Sequence, residues 1–382
     1  TRFNQTYDED TMCVTYGTYY AASYAAAYGE DFDAAYFESE VTDCASYYEY
    51  NGYTSYGPGI GTRNDSVDID AEYDGWGVYG DATIRVSDKI GVSVGARYTE
   101  DNRDFGQKFG GEDRNYFFYS FPFFSSDFLR GSDSWTNTSL RTAINYQLSD
   151  EVSTYINYST GYKAGGFNTF FVLFPESVDV DSLAGEDAVE LGGSPESFEK
   201  EEVTNVELGL KGQFWDGQMQ VNASIYQYQF DGMQSGYYVG SRYSVANVGD
   251  AEGNGVELDM RLLPSDNLDI YLGLSWADTE LTKPAEGFCE PADCLGAQIP
   301  GTVEFSAAMV ATYTVPLENG DLAVTWETFH QDESVGFGQF DLNPLMADGF
   351  TTSNLRIGYD SAEDWSVTLW VNNITDEFHY KG

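Results

Sequence analysis

The sequence predicts an all-β protein, an antiparallel transmembrane β-barrel of the outer-membrane type. Three observations predict it. Apolar and polar residues alternate strictly through many segments, these segments recur in pairs joined by tight polar turns, and short connections at one end contrast with long ones at the other.

Alternation with a period of two marks a strand whose faces meet different surroundings. Val78, Ala82, Ile84 and Val86 alternate with Tyr79, Asp81, Thr83 and Arg85. After SDK (87–89) the pattern resumes with Ile90, Val92, Val94, Ala96 and Tyr98. Leu140, Thr142, Ile144 and Tyr146 lead through LSDE (148–151) to Val152, Thr154, Ile156 and Tyr158. Val206, Leu208, Leu210 and Phe214 cross WDG (215–217) to Met219, Val221, Ala223 and Ile225. Val256, Leu258, Met260 and Leu262 cross PSDN (264–267) to Leu268, Ile270, Leu272, Leu274 and Trp276. Phe305, Ala307, Met309, Ala311 and Tyr313 cross LENG (317–320) to Leu322, Val324 and Trp326. Leu355, Ile357 and Tyr359 cross SAED (361–364) to Trp365, Val367, Leu369 and Val371. Ser, Asp, Asn, Gly and Pro fill the turns because they tolerate turn dihedrals. Six hairpins make about twelve strands, and the connections at the other end run to roughly 15–35 polar and aromatic residues.

The second face carries charge in mid-strand: Arg85, Arg97, Arg141, Lys163, Lys211, Arg261 and Arg356 against Glu207, Glu257 and Asp259. A soluble sandwich core does not tolerate so many buried charges, whereas a water-filled or plugged lumen does, and the short strands of a propeller blade do not match strands of about twelve residues. Cross-strand pairing with Glu207, Glu257 and Asp259 is the expected fate of these cations. No apolar run is long enough for a membrane helix. The start at Thr1 carries no leader, as expected of a mature or internal start.

Net charge is −45, from 63 Asp and Glu against 18 Lys and Arg, which excludes a nucleic-acid partner. The acidity is expected on solvated loops, where Ca²⁺ is the one inorganic ligand it suggests, although no calcium-binding spacing is present. The four cysteines, Cys13, Cys44, Cys289 and Cys294, fall in segments read as loops and outside any CxxC pattern. Disulfides in an oxidising compartment are the expectation, with zinc as the competitor; the two histidines, His330 and His379, lie far from either pair in sequence.

Several stretches carry a resemblance that alternation alone does not supply. STYINYSTGYKAGGFN (153–168), GVYGDATIRVSDKIGVSVGARYTEDNRDF (77–105) and EKEEVTNVELGLKGQFWDGQMQVNASIYQYQFDGMQ (199–234) resemble barrel segments of TonB-dependent receptors. NVGDAEGNGVELDMRLLP (247–264) and NLRIGYDSAEDWSVTLWVNNITDEFHY (354–380) resemble the late strands of that family. The resemblance implies a barrel of about 22 strands around an amino-terminal plug, so this chain reads as a portion of a receptor. Residues 1–65 are then expected as one long extracellular loop closed by Cys13 and Cys44, and 66–382 as barrel hairpins.

What the resemblance implies is transport rather than catalysis: import of a scarce nutrient across the bacterial outer membrane with energy delivered by TonB. The cargo is expected to be a ferric siderophore or similar chelate, or an oligosaccharide. A passive porin-like barrel and an adhesive or structural surface barrel are the alternatives. Expected partners are membrane lipid, lipopolysaccharide, the TonB complex acting through the plug, and the solute or glycan, with room for a surface lipoprotein. No GxSxG, HExxH or phosphate-binding loop is present, and no cofactor is expected. Aromatic clusters in the long loops, NYFFYSFPFF (115–124) and FNTFFVLFP (167–175), can stack on a solute or pack the loops on one another. Substrate-contact candidates are Tyr116, Phe117, Phe118, Tyr119, Phe170 and Phe171, with Lys163 and Arg97 as cationic contacts.

Overall fold

The computed structural model describes residues 2–8, 62–111, 123–179, 183, 186–239, 242–336, 340 and 344–379. The elements are β1 (Arg2–Asp8), β2 (Thr62–Arg85), β3 (Ile90–Gly111), β4 (Leu129–Gln147), β5 (Val152–Lys163), β6 (Gly166–Leu173), β7 (Ser194–Phe198), β8 (Glu201–Phe214) and β9 (Met219–Val239). They continue with β10 (Arg242–Ser265), β11 (Leu268–Pro284), the short helix α1 (Pro291–Cys294), β12 (Phe305–Leu317), β13 (Gly320–Gln331), β14 (Ser334–Val335), β15 (Met346–Ala347), β16 (Phe350–Ser361) and β17 (Ser366–Val371). The main sheet has 13 strands in the order β1-β2-β3-β4-β5-β8-β9-β10-β11-β12-β13-β16-β17, while β6–β7 and β14–β15 form two-stranded sheets.

All six sequence-predicted hairpins are present, as β2–β3, β4–β5, β8–β9, β10–β11, β12–β13 and β16–β17. Their turns follow from local chemistry. In WDG, Trp215, Asp216 and Gly217 all have left-handed φ (55°, 54° and 86°), which reverses the chain between Phe214 and Met219. Gly320 in LENG has φ 150°, and a Cβ there would strike the Asp360 carbonyl on β16. Glycine is the residue that fits.

Within residues 1–65, expected mostly as one long loop, β1 pairs antiparallel with the start of β2 from Arg2↔Asp68 to Asp8↔Thr62; residues 9–61, with Cys13 and Cys44, lie outside the described residues. One part of the long-loop expectation is corrected. The connection expected after Ile225 is mostly strand, since β9 and β10 continue their ladder up to Val239 and Arg242. Register shifts between Asn247 and Gly249 and between Gly249 and Ala251 interrupt that ladder, and Gly232 and Gly249 have positive φ there. A β-bulge inserts a residue and inverts the alternation beyond it, so the sequence pattern stops where the strand does not.

Register assembles the apolar positions into rows that cross the sheet. Ile144, Ile156, Leu208, Ile225, Val256 and Trp276 are successive cross-strand partners on β4, β5, β8, β9, β10 and β11. Each of these six side chains is 40–53% exposed. Further rows run Phe214, Met219, Leu262, Ile270, Ala311, Trp326, Leu355 and Val371, and Leu268, Tyr313, Val324, Ile357 and Leu369. Scattered exposed apolar residues need no explanation, but continuous rows of them across neighbouring strands mark a surface that meets something apolar. The opposite face places Glu207, Lys211, Glu257, Asp259 and Arg261 in register with Tyr226, Asn222, Ser275, Gly273 and Tyr271.

The chain groups into two compact units, residues 1–74, 102–133 and 167–197, and residues 75–101, 134–166 and 198–382. The first is built on Val67, Phe109, Leu129 and Ala188, with Ile69, Phe123, Phe170, Val172 and Phe174 packed against them. The second has a small core of Met233, Val248, Ala251, Leu281, Cys294 and Phe340.

If the apolar rows face hydrocarbon, Ile225→Arg costs about 2–4 kcal/mol of folding stability in lipid vesicles. Ser224→Arg, one residue away on the polar face, stays within about 1 kcal/mol of the parent. Urea titration of the two variants in phospholipid vesicles measures both, and equal costs would mean that the faces are not distinguished by lipid.

Candidate functional site

The polar face of the second unit has a defined charge arrangement. Arg141 lies 2.6 Å from Asp81, Arg261 bonds both oxygens of Asp269 at 3.1 and 2.6 Å, and Arg356 lies 3.4 Å from Glu327. Cross-strand pairing is therefore present, but not with the carboxylates expected from sequence. Glu207 instead accepts from the Tyr155 hydroxyl, Asp259 accepts from the Tyr271 hydroxyl at 2.6 Å, and Glu257 has no hydrogen-bond or ion-pair partner among the described residues. The cause is diagonal reach, since a tyrosine two residues from the register position covers the nearer carboxylate. The paired Arg side chains are about 60% exposed (Arg141 61%, Arg261 60%, Arg356 58%). Such pairs contribute at most about 1 kcal/mol each, so the pattern says more about what the face meets than about what holds it.

Tyrosines tile this face over glycines. Tyr155 lies over Gly209, Tyr226 over Gly255 and Tyr228 over Gly253; the three glycines are buried, and a Cβ on any of them would run into the ring above. Gly209 is the register partner of Tyr155, Gly255 of Tyr226 and Gly253 of Tyr228. With no side chain beneath it, each ring lies flat and covers backbone that would otherwise be open. Tyr226 and Tyr228 are 6.0 Å apart with an interplanar angle of 14°, and Phe230 meets Tyr228 edge-on at 5.4 Å. Lys211 places its ammonium 5.6 Å from the Tyr155 ring centre.

Beyond Phe230 the same face is covered by the connection between β11 and β12. This connection is tied to β11 at Leu281, whose N–H donates to the Ala297 C=O (2.9 Å) and whose C=O accepts from the Gly296 N–H (2.8 Å). Cys289 and Cys294 form the expected disulfide, and α1 lies inside its loop. Cys294 is fully buried, and Phe288, Cys289 and Ile299 pack around the core that Phe230 also touches. The bridge closes a short loop so that its apolar residues stay on the sheet.

The sequence-predicted contact residues fall in different settings. Tyr116, Phe117, Phe118 and Tyr119 lie outside the described residues. Phe170 and Phe171 sit on β6 in the first unit, where Phe170 packs into the aromatic and aliphatic core. Phe170 has φ 72°, a conformation that disfavours a bulky residue. The fully buried Gln107 holds it there: the Phe170 N–H donates to Gln107 Oε1 at 2.9 Å, and Gln107 Nε2 donates to the Phe171 carbonyl at 2.6 Å. Phe123 meets Phe109 of β3 and Phe174 edge-to-face around this core, so these two loop stretches touch through Phe123 and Phe174. Arg97 lies on the polar face of the second unit, with its Nε on Thr99 Oγ1 at 3.0 Å and its guanidinium 6.0 Å from the Tyr79 ring centre. Lys163 ends β5, opposite Glu201 in register. Sequence reasoning missed Tyr226, Tyr228 and the glycines beneath them, whose signal is a Tyr-x-Tyr strand paired with a Gly-x-Gly strand. Among the described residues no group of three or more His, Cys, Asp and Glu converges on a metal position.

Comparison with known proteins places this geometry. The family model described as TonB dependent receptor-like, beta-barrel matches residues 1–374. A probable TonB-dependent siderophore receptor of Acinetobacter baumannii is 22% identical over 241 residues, covering 60% of this chain and 31% of its own length. A ferric-pyoverdine 358 receptor of Pseudomonas putida is 27% identical over 251 residues, covering 62% of this chain and 25% of its own. The crystal structure of the ferric yersiniabactin uptake receptor of Yersinia pestis superposes with a TM-score of 0.59 at 17% identity, covering 84% of this chain and 43% of that one. The chain thus spans a third or less of these curated relatives.

Gln107→Leu leaves the Phe170 N–H and the Phe171 carbonyl without their buried partner, at a cost of about 1–3 kcal/mol. Hydrogen exchange should show faster exchange confined to residues 166–174, with the amides of β8–β11 unchanged.

Proposed function

Because the chain belongs to the TonB-dependent receptor β-barrel family, we propose that it supplies the barrel wall of a receptor that imports a scarce solute across the outer membrane with energy delivered through TonB. The family match over residues 1–374 carries this reading. The two faces of the sheet support it: apolar rows suit lipid on the outside, and the Arg, Glu, Asp and Tyr positions suit a wet or plugged lumen. The disulfide-closed connection between β11 and β12 lies on the loop side of the strands, where a solute arriving from outside is met first.

A ferric chelate is the cargo this reading favours, since the two curated relatives described above are named as a siderophore receptor and a ferric-pyoverdine receptor. Each is under 30% identical and only partly covered, so the shared trait carried over is uptake of a chelate, not a particular molecule. The working cycle is one of binding and release. Loop residues capture the solute, and a rearrangement powered from the inner membrane opens a path along the polar wall. No covalent step is required, and specificity comes from the residues lining the entrance and the path.

Deletion of the gene should abolish growth when a ferric chelate is the sole iron source, and restoring it should recover growth only in cells with an intact TonB system. Labelled-chelate uptake measures this directly. Uptake that persists without TonB would instead indicate a passive porin, and growth loss only on a glycan carbon source would replace the chelate with a sugar.

A further inference from the structure

Apart from what drives transport, the polar wall has a binding character of its own. We propose that Tyr226 and Tyr228, together with Glu257 and Glu207, form a cation–π site for the ammonium or guanidinium group of a small solute.

Three observations carry this. The first is geometric. Gly255 and Gly253 are alternate residues of β10, and the rings of Tyr226 and Tyr228 lie flat on them. With 14° between their planes and 6.0 Å between their centres, the rings lie side by side as one platform, with their π faces turned away from the sheet. Both are half-buried, and neither hydroxyl is hydrogen-bonded among the described residues. A flat aromatic face presents negative quadrupole to whatever approaches it.

The second observation is charge. Glu207 is the register partner of Tyr226, and Glu257 lies two residues along β10 from Gly255 on the same face. Glu257 is exposed and makes no ion pair among the described residues. A chain of net charge −45 concentrates cations and repels anions, and two carboxylates beside the platform sharpen that preference locally. An anionic ring would stack there against both carboxylates. A neutral sugar would gain stacking without the electrostatic attraction.

The third is an internal precedent. On the neighbouring strands the same parts are already assembled around a cation: Tyr155 lies flat on Gly209, its hydroxyl donates to Glu207, and the Lys211 ammonium sits 5.6 Å from its ring centre. Tyr226 and Tyr228 repeat the glycine, ring and carboxylate of that arrangement, and among the described residues no Lys or Arg occupies their faces. Covering glycine accounts for the rings lying flat. It does not account for an unpaired carboxylate beside them.

The test uses the full chain in detergent micelles with 3-fluorotyrosine, the ¹⁹F signals of positions 226 and 228 being assigned by Tyr226→Phe and Tyr228→Phe. Tetramethylammonium should shift both signals saturably, while sodium, maltotriose and 2,3-dihydroxybenzoate at matched ionic strength should not. Glu257→Gln should weaken the tetramethylammonium Kd by roughly two- to five-fold without changing heat-modifiable mobility. Tyr228→Leu/Gly253→Ala, which fills the space left by the ring, should weaken it at least as much. Overturning results are a shift that sodium reproduces, a response equal in Glu257→Gln and parent, or a sugar that shifts the signals as strongly as the cation. None of these depends on TonB or iron, so failure of the site and failure of the uptake reading are separately visible.

Discussion

The constraint on which everything else rests is that a backbone in hydrocarbon has no water to bond. Every N–H and C=O there must be paired within the protein, and for strands that means an uninterrupted ladder to neighbours on both sides. The registers from β4 to β17 run without a break through the row from Ile144 to Trp276, and the shifts fall beyond it, around Gly249 at one end and between Leu262 and Ser265 at the turn end of β10–β11. Once the ladder is set, side chains have no choice of face. A slip of one residue would exchange Ile225 for Ser224 in the lipid-facing row and bring Glu257 into line with them. The alternation in sequence and the pairing in space are thus the same constraint seen twice.

On the other face the physics is reversed. Water screens charge there, so Arg141 with Asp81 and Arg261 with Asp269 are tolerated more than they are needed. The conspicuous feature is the one that stability does not demand: beside glycines covered by tyrosines, Glu257 has no hydrogen-bond or ion-pair partner among the described residues. Flat rings keep the wall smooth along β9, and the acid residues beside them give it a sign.

Where the ladder leaves the membrane, the constraint relaxes and packing takes over. Phe109, Phe123, Phe170 and Phe174 gather around one aromatic core, and Cys294, Leu281 and Phe340 around another. Neither core is large. Gln107 at the first and the Cys289–Cys294 bridge at the second do what a larger apolar volume would do in a soluble domain, holding loop backbone in one arrangement. Loops held in this way can present residues to a solute while the strands beneath carry the fold.

The sequence by itself determined the strand pairs, their turns and the sorting of residues between two faces. All of these follow from a period of two and from turn residues such as Trp215-Asp216-Gly217, which act over a few neighbours in the chain. It also determined the family, through stretches such as 153–168 and 354–380, and it pointed to Cys289 and Cys294 as loop cysteines suited to a disulfide. Only the tertiary structure decided which carboxylate each cation meets, because Arg141 reaches Asp81 across 60 residues of chain and Tyr155 takes the acid that alternation alone assigned to an arginine. It alone showed β9 and β10 continuing past the bulges at Gly232 and Gly249, where an inserted residue inverts the pattern, and Phe170 turned into a core by the side chain of Gln107. Periodicity is local and can be read along a strand; partnership across strands depends on register and reach, which exist only once the sheet is formed.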